Sequence, residues 1–300
     1  MEQGDISFDL WYHSIMKKKG VFLVCVEVDQ NTFVLPRRPR DAHKGAFGRV
    51  GIWAGSVGYT GAPVFAARAA VRTGSGLVFL HVPEEIWSVV AARCDEAMPF
   101  PLPAHSTPPA NRWDAALIGP GLGADTTVRE LARSFALALD RPLVLDADGL
   151  NAFAPCPRQL CSRTAPTILT PHEGEFARLT GCTLPVRDRV SAARHTAQEL
   201  NCVVVLKGHR TVTAAPDGRV WVNTGGNPGM AKGGSGDILA GIILSLLGQG
   251  FPAAESAAMG VWLHSRSGDL CAAQLGEYAM TPTDLLDFLP HAIKELERPN

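Results

Sequence analysis

From Arg49 onward the chain repeats one rhythm: a short apolar run, a Gly-rich turn, then an Ala-rich stretch with helical spacing. That alternation constrains the fold more than any other feature. The apolar runs at 50–54, 77–82, 115–118, 143–146, 167–169 and 203–206 are nearly continuous, as in strands buried on both faces of a parallel sheet. Segments 62–73 and 187–200 read as helices, and parallel strands joined through helices make right-handed βαβ units. The expected class is α/β with a mostly parallel sheet. Near 211–223 the rhythm breaks, and runs at 211–214 and 220–223 around Pro216-Asp217-Gly218 read as a β-hairpin. Segments 237–247 and 253–275 read as helices. In the first, Ile238, Leu239, Ile242, Ile243, Leu246 and Leu247 fall on one stripe. With no repeat and no linker, residues 35–300 read as a single domain. Residues 1–34 differ in character and form either a peripheral strand or a poorly ordered leader.

Composition narrows the function classes. Apolar residues at 46% against 19% charged exclude a disordered chain and supply a large core. A net charge of −1 gives no electrostatic ground for binding nucleic acid, and no stretch approaches the roughly 20 apolar residues that span a bilayer. Neither is expected as a partner. The basic cluster Arg37, Arg38, Arg40, Lys44 and Arg49 is either a solvated segment or a contact for a phosphorylated ligand. An apolar run at 21–26 follows Lys17, Lys18 and Lys19, but it is short. Acids Glu27 and Asp29 come next, and no small-x-small cleavage site follows, so it does not read as a signal peptide. The seven cysteines are scattered without a C-x-x-C pair, which indicates neither a zinc site nor a redox centre and suits a reducing, cytoplasmic setting.

The segment richest in chemistry is Asn223-Thr-Gly-Gly-Asn-Pro-Gly-Met-Ala-Lys-Gly-Gly-Ser-Gly-Asp237. Its last turn, Gly233, Gly234, Ser235 and Gly236, opens an apolar helix. Free N–H groups and the helix dipole make such a start an anion site. Asp237 has two readings there: an acid that favours the dipole, or a base that takes a proton from a hydroxyl attacking a bound phosphoryl group. The turn lacks P-loop spacing, and no G-x-G-x-x-G fingerprint marks the first strand end. Four other loops follow strands: Gly51 to Gly61, Gly119-Pro-Gly-Leu-Gly123, Asp146-Ala-Asp-Gly-Leu-Asn151 and Thr170-Pro-His-Glu-Gly-Glu175. Ligands of open α/β sheets bind at the carboxyl ends of strands, so these loops and the 223–237 block should share one cleft.

Gly119-Pro-Gly-Leu-Gly123, Pro-His-Glu-Gly-Glu at 171–175 and the 227–237 part of the glycine block, together with His43-Lys-Gly-Ala-Phe-Gly-Arg49, Gly-Tyr-Thr-Gly-Ala-Pro at 58–63 and Leu206-Lys-Gly-His-Arg-Thr211, resemble the NAD(P)H-hydrate dehydratase family. The motifs run in order from about residue 35 to 290. The resemblance implies a ribokinase-like three-layer α/β/α fold and removal of water from the 6S hydrates of NADH and NADPH, driven by ADP or ATP with Mg2+. By matching position, Ala62, Gly123, His172 and Asp237 meet the hydrated substrate, while Lys207, Gly208, His209, Arg210, Thr211 and Gly236 meet the adenine nucleotide. The resemblance further implies a homo-oligomer, with ADP as the expected donor. Residues 1–34 are too short for the epimerase domain often fused upstream, so any epimerase acting on these metabolites would be separate.

Several residues keep a second reading. His172 orients substrate or is a loop histidine satisfied by the backbone. Lys207 meets a phosphate or ends its strand as a solvated charge. Asp146 and Asp148 hold magnesium through water or form an ordinary turn, and no direct protein ligand to a metal is expected. Glu173 and Glu175 suit a helix start without catalytic duty, and His264 and Asp269 read as structural. Two departures from the family stand out: Lys232 replaces a frequent threonine, either touching a phosphate or facing solvent, and His209-Arg210 replace small residues. Rival readings are a small-molecule kinase of the same superfamily and a nucleotide-binding sensor without turnover.

Overall fold

A computed structural model describes residues 25–297. Ten strands among them form one sheet: β1 (Cys25–Val28), β2 (Arg49–Trp53), β3 (Leu77–Pro83), β4 (Met98–Leu102), β5 (Ala115–Ile118), β6 (Leu143–Leu145), β7 (Thr167–Leu169), β8 (Val203–Leu206), β9 (Val212–Ala214) and β10 (Val220–Asn223). Their order is β1-β10-β9-β8-β7-β6-β5-β2-β3-β4. Only β9 runs against its neighbours, forming the expected hairpin with β10; every other pairing is parallel.

Each parallel strand sends alternate side chains to opposite faces, and both faces are dry, which explains the continuous apolar runs. Val203 and Val205 join Val50, Ile52 and Leu117 in one core; Val204 and Leu206 join Ala116, Ile118 and Leu145 in the other. Helices α1 (Gly61–Arg72), α2 (Glu84–Ala91), α7 (Ser235–Gly248), α8 (Ala253–Leu275) and α9 (Pro282–Leu296) cover the first face. The second is covered by α3 (Thr126–Ala138), α4 (Asp148–Asn151), α5 (Glu173–Thr180) and α6 (Arg189–Leu200). The result is a three-layer α/β/α sandwich.

Helix α7 departs from the single stripe read in the sequence. Ala240 and Leu244, off that stripe, are as buried as Ile242 and Ile243, because α1 and α8 pack on the sides the sheet does not reach. Helix α1 approaches so closely that a Cβ on Gly241 would lie 2.2 Å from the Ala66 carbonyl oxygen. A helix apolar all round belongs in the centre of a fold. No helix among the described residues is long and apolar enough to cross a membrane.

Strand β4 was not apparent in the sequence. Met98-Pro-Phe-Pro-Leu102 carries two prolines, tolerated because β4 is the sheet edge and pairs only with β3. At the other edge, β1 pairs with β10, so part of the 1–34 segment joins the sheet, and Phe33 is buried in the first core. Lysines 17–19 and residues 21–24 of the apolar run lie outside the described residues.

Strand order reverses between β2 and β5, since the chain adds β3 and β4 on one side and later β6, β7 and β8 on the other. A crevice opens outside the carboxyl ends of strands at such a switch point.

Candidate active site

The loops after β2 and β5 are tied across the switch point. Gly55 N–H donates to the Pro120 carbonyl at 2.8 Å, and Ser56 Oγ donates to the Gly121 carbonyl at 2.8 Å. Ala62, at the start of α1, faces the same loop, 3.1 Å from where a Gly121 Cβ would lie. Gly123 N–H donates to Asp148 Oδ2 at 2.8 Å. Beside Gly123 a pocket of about 530 Å³ opens, lined by Trp53, Ser56, Tyr59, Leu122 and Asp125 among others.

The charged centre lies further along the same crevice. Asp146, 2% exposed at the end of β6, accepts from Thr170 Oγ1 and from Lys207 Nζ, each at 2.8 Å. Lys207 Nζ is also 3.8 Å from Glu175 Oε2. Burial opposes the charge on Lys207, but the Asp146 and Glu175 carboxylates outweigh it and hold the ammonium above its ordinary pKa. Lys207 is therefore an ion-paired residue inside the crevice and not a solvated strand end. Its backbone N–H also donates to the Pro171 carbonyl at 2.8 Å, joining the 171–175 loop to the 207–211 loop.

His172 caps α5. Its Nδ1 accepts from the N–H groups of Gly174 and Glu175, at 3.0 and 3.3 Å, while Glu175 Oε2 accepts from the His172 N–H at 2.9 Å. This reciprocal capping box fixes the ring. With Nδ1 occupied as an acceptor, the neutral ring carries its proton on Nε2, which lies 3.5 Å from Glu175 Oε1.

Asp237 stands in the first turn of α7. Gly234 begins that helix at φ 102°, and no side chain caps it. Gly234 is required there: apart from the left-handed backbone, a Cβ would lie 2.7 Å from the Phe65 ring of α1. The first N–H groups of a helix lack intrahelical acceptors, so the turn offers donors to an anion. A Cβ at Gly233 would meet nothing within 4 Å, and one at Gly236 would lie 3.5 Å from Lys207 Nζ. Burial first, and then the Asp146 charge, push Asp237 up to about 7, with Lys207 opposing. The Ser235 side chain turns away to His264 Nε2 at 3.1 Å.

The nucleotide-loop residues expected beyond Lys207 lie at the rim. Gly208, His209 and Arg210 are exposed. Thr211 Oγ1 closes the loop on the Gly208 carbonyl at 2.9 Å, and Arg210 pairs with Glu27 of β1 at 2.6 Å. Lys232 is exposed, and its Nζ donates to the carbonyls of Tyr278 and Met280. Asp269 pins the block by accepting from Gly226 N–H at 2.9 Å and Asn227 Nδ2 at 3.1 Å. Arg189 was missed in the sequence. It pairs with Glu173 and donates to the Leu206 and Lys207 carbonyls. Thr170 was quoted only as part of a motif, and nothing local in the sequence signals its bond to Asp146.

Among the described residues no group of three or more His, Cys, Asp or Glu side chains could hold a metal ion. Asp146 is engaged by Lys207 and Thr170, while Asp148 accepts from Gly123 and from Asn151 Nδ2.

Fold and crevice together define a ribokinase-like α/β protein with an open helix start beside a partly buried carboxylate. A ribokinase-like superfamily protein from Enterococcus faecalis superposes with a TM-score of 0.80 at 31% identity, covering 92% of this chain and 97% of that one. The profile of the NAD(P)H-hydrate dehydratase family matches residues 50–291. The chain belongs to that family. The ADP-dependent (S)-NAD(P)H-hydrate dehydratase of Neisseria meningitidis serogroup B is 39% identical over 250 residues, covering 81% of this chain and 83% of the relative. An ADP/ATP-dependent NAD(P)H-hydrate dehydratase from Bacillus subtilis, co-crystallised with ATP/Mg2+, has a TM-score of 0.80 at 33% identity, covering 88% and 95%. A bifunctional NAD(P)H-hydrate repair enzyme of Moorella thermoacetica is 43% identical over 277 residues, 88% of this chain and 52% of the relative. The chain spans about half the length of the bifunctional relatives it matches.

Proposed function

We propose that this chain removes water from the 6S hydrates of NADH and NADPH in a reaction driven by ADP or ATP. The observation that carries the reading is the seat of Asp237: a partly buried carboxylate in the first turn of an uncapped helix, next to a glycine turn open to the cleft. Hydroxide is a poor leaving group near neutral pH, so the C6 hydroxyl must be activated. Asp237 takes the hydroxyl proton, and the oxygen forms a bond to the terminal phosphorus of the nucleotide. The bond to the leaving phosphate breaks, releasing AMP from ADP or ADP from ATP. Phosphate then departs from C6, the neighbouring ring carbon gives up a proton, and the dihydropyridine is restored. The N–H groups at the α7 start stabilise charge on the transferred group.

In this reading Ala62, Gly123 and His172 line the seat of the hydrate, with His172 Nε2–H as a directed donor. Lys207, Gly208, His209, Arg210, Thr211 and Gly236 line that of the nucleotide. Arg210 reaches a nucleotide only by leaving Glu27, and Lys207 exchanges part of its hold on Asp146 for a phosphate. The Bacillus subtilis relative was crystallised with ATP/Mg2+. Magnesium would come with the phosphates and neutralise them, since Asp146 and Asp148 are already engaged. In this reading the enzyme is a cytoplasmic homo-oligomer.

A small-molecule kinase would use the same first step and stop at a stable phosphate ester. Purified protein mixed with NADH hydrate and magnesium, with ADP or ATP in separate cuvettes, tests the choice. Nucleotide-dependent recovery of NADH absorbance is expected, faster with ADP; no recovery despite bound nucleotide would overturn the reading.

A further inference from the structure

One titratable group in the heart of the molecule has no part in the chemistry just described. His264, on α8, points at the start of α7, and its Nε2 lies 3.1 Å from Ser235 Oγ. Ser235 is 6% exposed, and its hydroxyl has no other hydrogen-bond partner among those described. It is the first residue of α7 and follows Gly234, whose left-handed backbone sets the direction in which the helix begins. Its own N–H donates to the Lys232 carbonyl at 3.2 Å. Both ends of Ser235 are thus committed inside the protein, and the donors left for an anion are the N–H groups that follow it in the turn.

We infer that His264 is a positioning residue for nucleotide binding: by holding the Ser235 hydroxyl it fixes the glycine turn with its N–H groups facing the cleft. A turn of Gly233, Gly234 and Gly236 has little steric restraint of its own. A serine hydroxyl at a helix start also has a competing use, turning back to bond nearby backbone. The imidazole removes that alternative by claiming the hydroxyl from behind. The ring is suited to this because it stays neutral. Burial first, and the nearby Lys207 charge in addition, bring His264 down to about 4, while the Ser235 backbone opposes. A neutral ring adds no second cation beside Lys207 in the ligand-free cleft. Helix α8 is itself anchored to the same block through Asp269, so histidine and loop move together.

Binding of ADP and of ATP, titrated directly by calorimetry, tests this in wild type, Ser235→Ala, His264→Ala, the double variant and His264→Gln. Loss of one hydrogen bond that orients the site should weaken binding by about 3- to 10-fold in either single variant. The double variant should be no weaker than the weaker single, because both remove the same bond. The Gln amide reaches near the position of Nε2 and should recover most of the affinity. Equally, KM for the nucleotide should rise in both single variants and return towards wild type in His264→Gln, a rescue that general loosening of α8 does not produce. Wild-type affinity in His264→Ala, or losses that multiply in the double variant, would overturn the inference. Should His264→Ala fail to fold, Ser235→Ala removes one oxygen and reads the same bond from the other side. The kinetic arm rests on the dehydratase reading and the binding arm does not. Tight nucleotide binding by a wild type that leaves NADH hydrate untouched would sink that reading and leave this one standing.

Discussion

Lys207 Nζ donates to Asp146 Oδ1 across 2.8 Å, joining the ends of β8 and β6, and both charges act on Asp237. Asp237 therefore sits between a pair of opposite charges that pull its pKa in opposite directions. Asp146 raises its pKa, Lys207 lowers it, and burial dominates both.

Replacing Asp237 by Asn should reduce turnover by at least about 100-fold, the lower end of what general-base assistance contributes. Nucleotide affinity should persist, because the N–H groups of the α7 start are unchanged. The same variant should be more stable than wild type at pH 8. An acid whose folded pKa is raised to about 7 binds its proton more tightly when folded, so folding loses stability as pH climbs from about 4 to 7. Asn removes that penalty, on the order of 4 kcal/mol. Melting curves at pH 5 and pH 8 check the sign: the gap between variant and wild type should be wider at the higher pH.

Turnover should itself rise with pH through about 7 as Asp237 ionises. Lys207→Met removes the charge that lowers the Asp237 pKa. The midpoint of the kcat profile should then move up by about one unit or more. Loss of the cation also leaves the Asp146 and Glu175 carboxylates without their shared positive partner, at about 3–5 kcal/mol of stability. An unmoved midpoint in a folded Lys207→Met protein would show that the pair does not tune the base.

Two glycines separate folding from binding. Gly119 sits at φ 132°, and a Cβ there would lie 1.8 Å from the Asp146 carbonyl oxygen. Gly119→Ala must displace the end of β6 and with it Asp146, so stability and turnover should fall together, by about 1–3 kcal/mol in the former. Gly233→Ala meets nothing within 4 Å. Its melting temperature should match wild type within a degree or two, while ADP affinity falls because the new methyl occupies the space proposed for phosphate.

The parts of this architecture legible in the sequence were those whose cause is local. Strands such as 203–206 announced themselves because both faces are buried, and the glycine loops because tight turns need them. Strand β4 was hidden by Pro99 and Pro101, which only an edge position explains. The stripe on α7 concealed a helix buried all round, since no periodicity reveals that α1 and α8 close its flanks. In the crevice, the expected cluster of loops formed. Lys232, Arg189, Thr170 and His264 could not be assigned from spacing, because their partners lie 17 or more residues away in most cases. Arg210 and Glu27 are 183 positions apart and meet only because β1 completes the sheet beside β10.

The acid limb of stability should be governed by buried histidines. His81, 5% exposed, stacks on Phe100 at a centroid distance of 5.4 Å and meets Trp113 at a 50° tilt and 5.5 Å, and burial holds it at about 4. A histidine whose folded pKa lies below its unfolded 6.5 binds fewer protons when folded across that window, so stability rises with pH from about 4 to 6.5 and is lost on acidification. For His81 the full span is on the order of 3 kcal/mol; His264, also held at about 4, adds in the same direction. Asp237 acts oppositely between about 4 and 7 and offsets one of the two histidines, so wild type should keep the slope of the other. His81→Leu leaves the aromatic wall apolar and deletes one titration. Denaturant unfolding at pH 5 and pH 6.5 should give a smaller pH-dependent gain in the variant than in wild type, whatever its absolute stability. Equal gains would mean that His81 is protonated within the fold and that the Phe100 and Trp113 rings tolerate a cation.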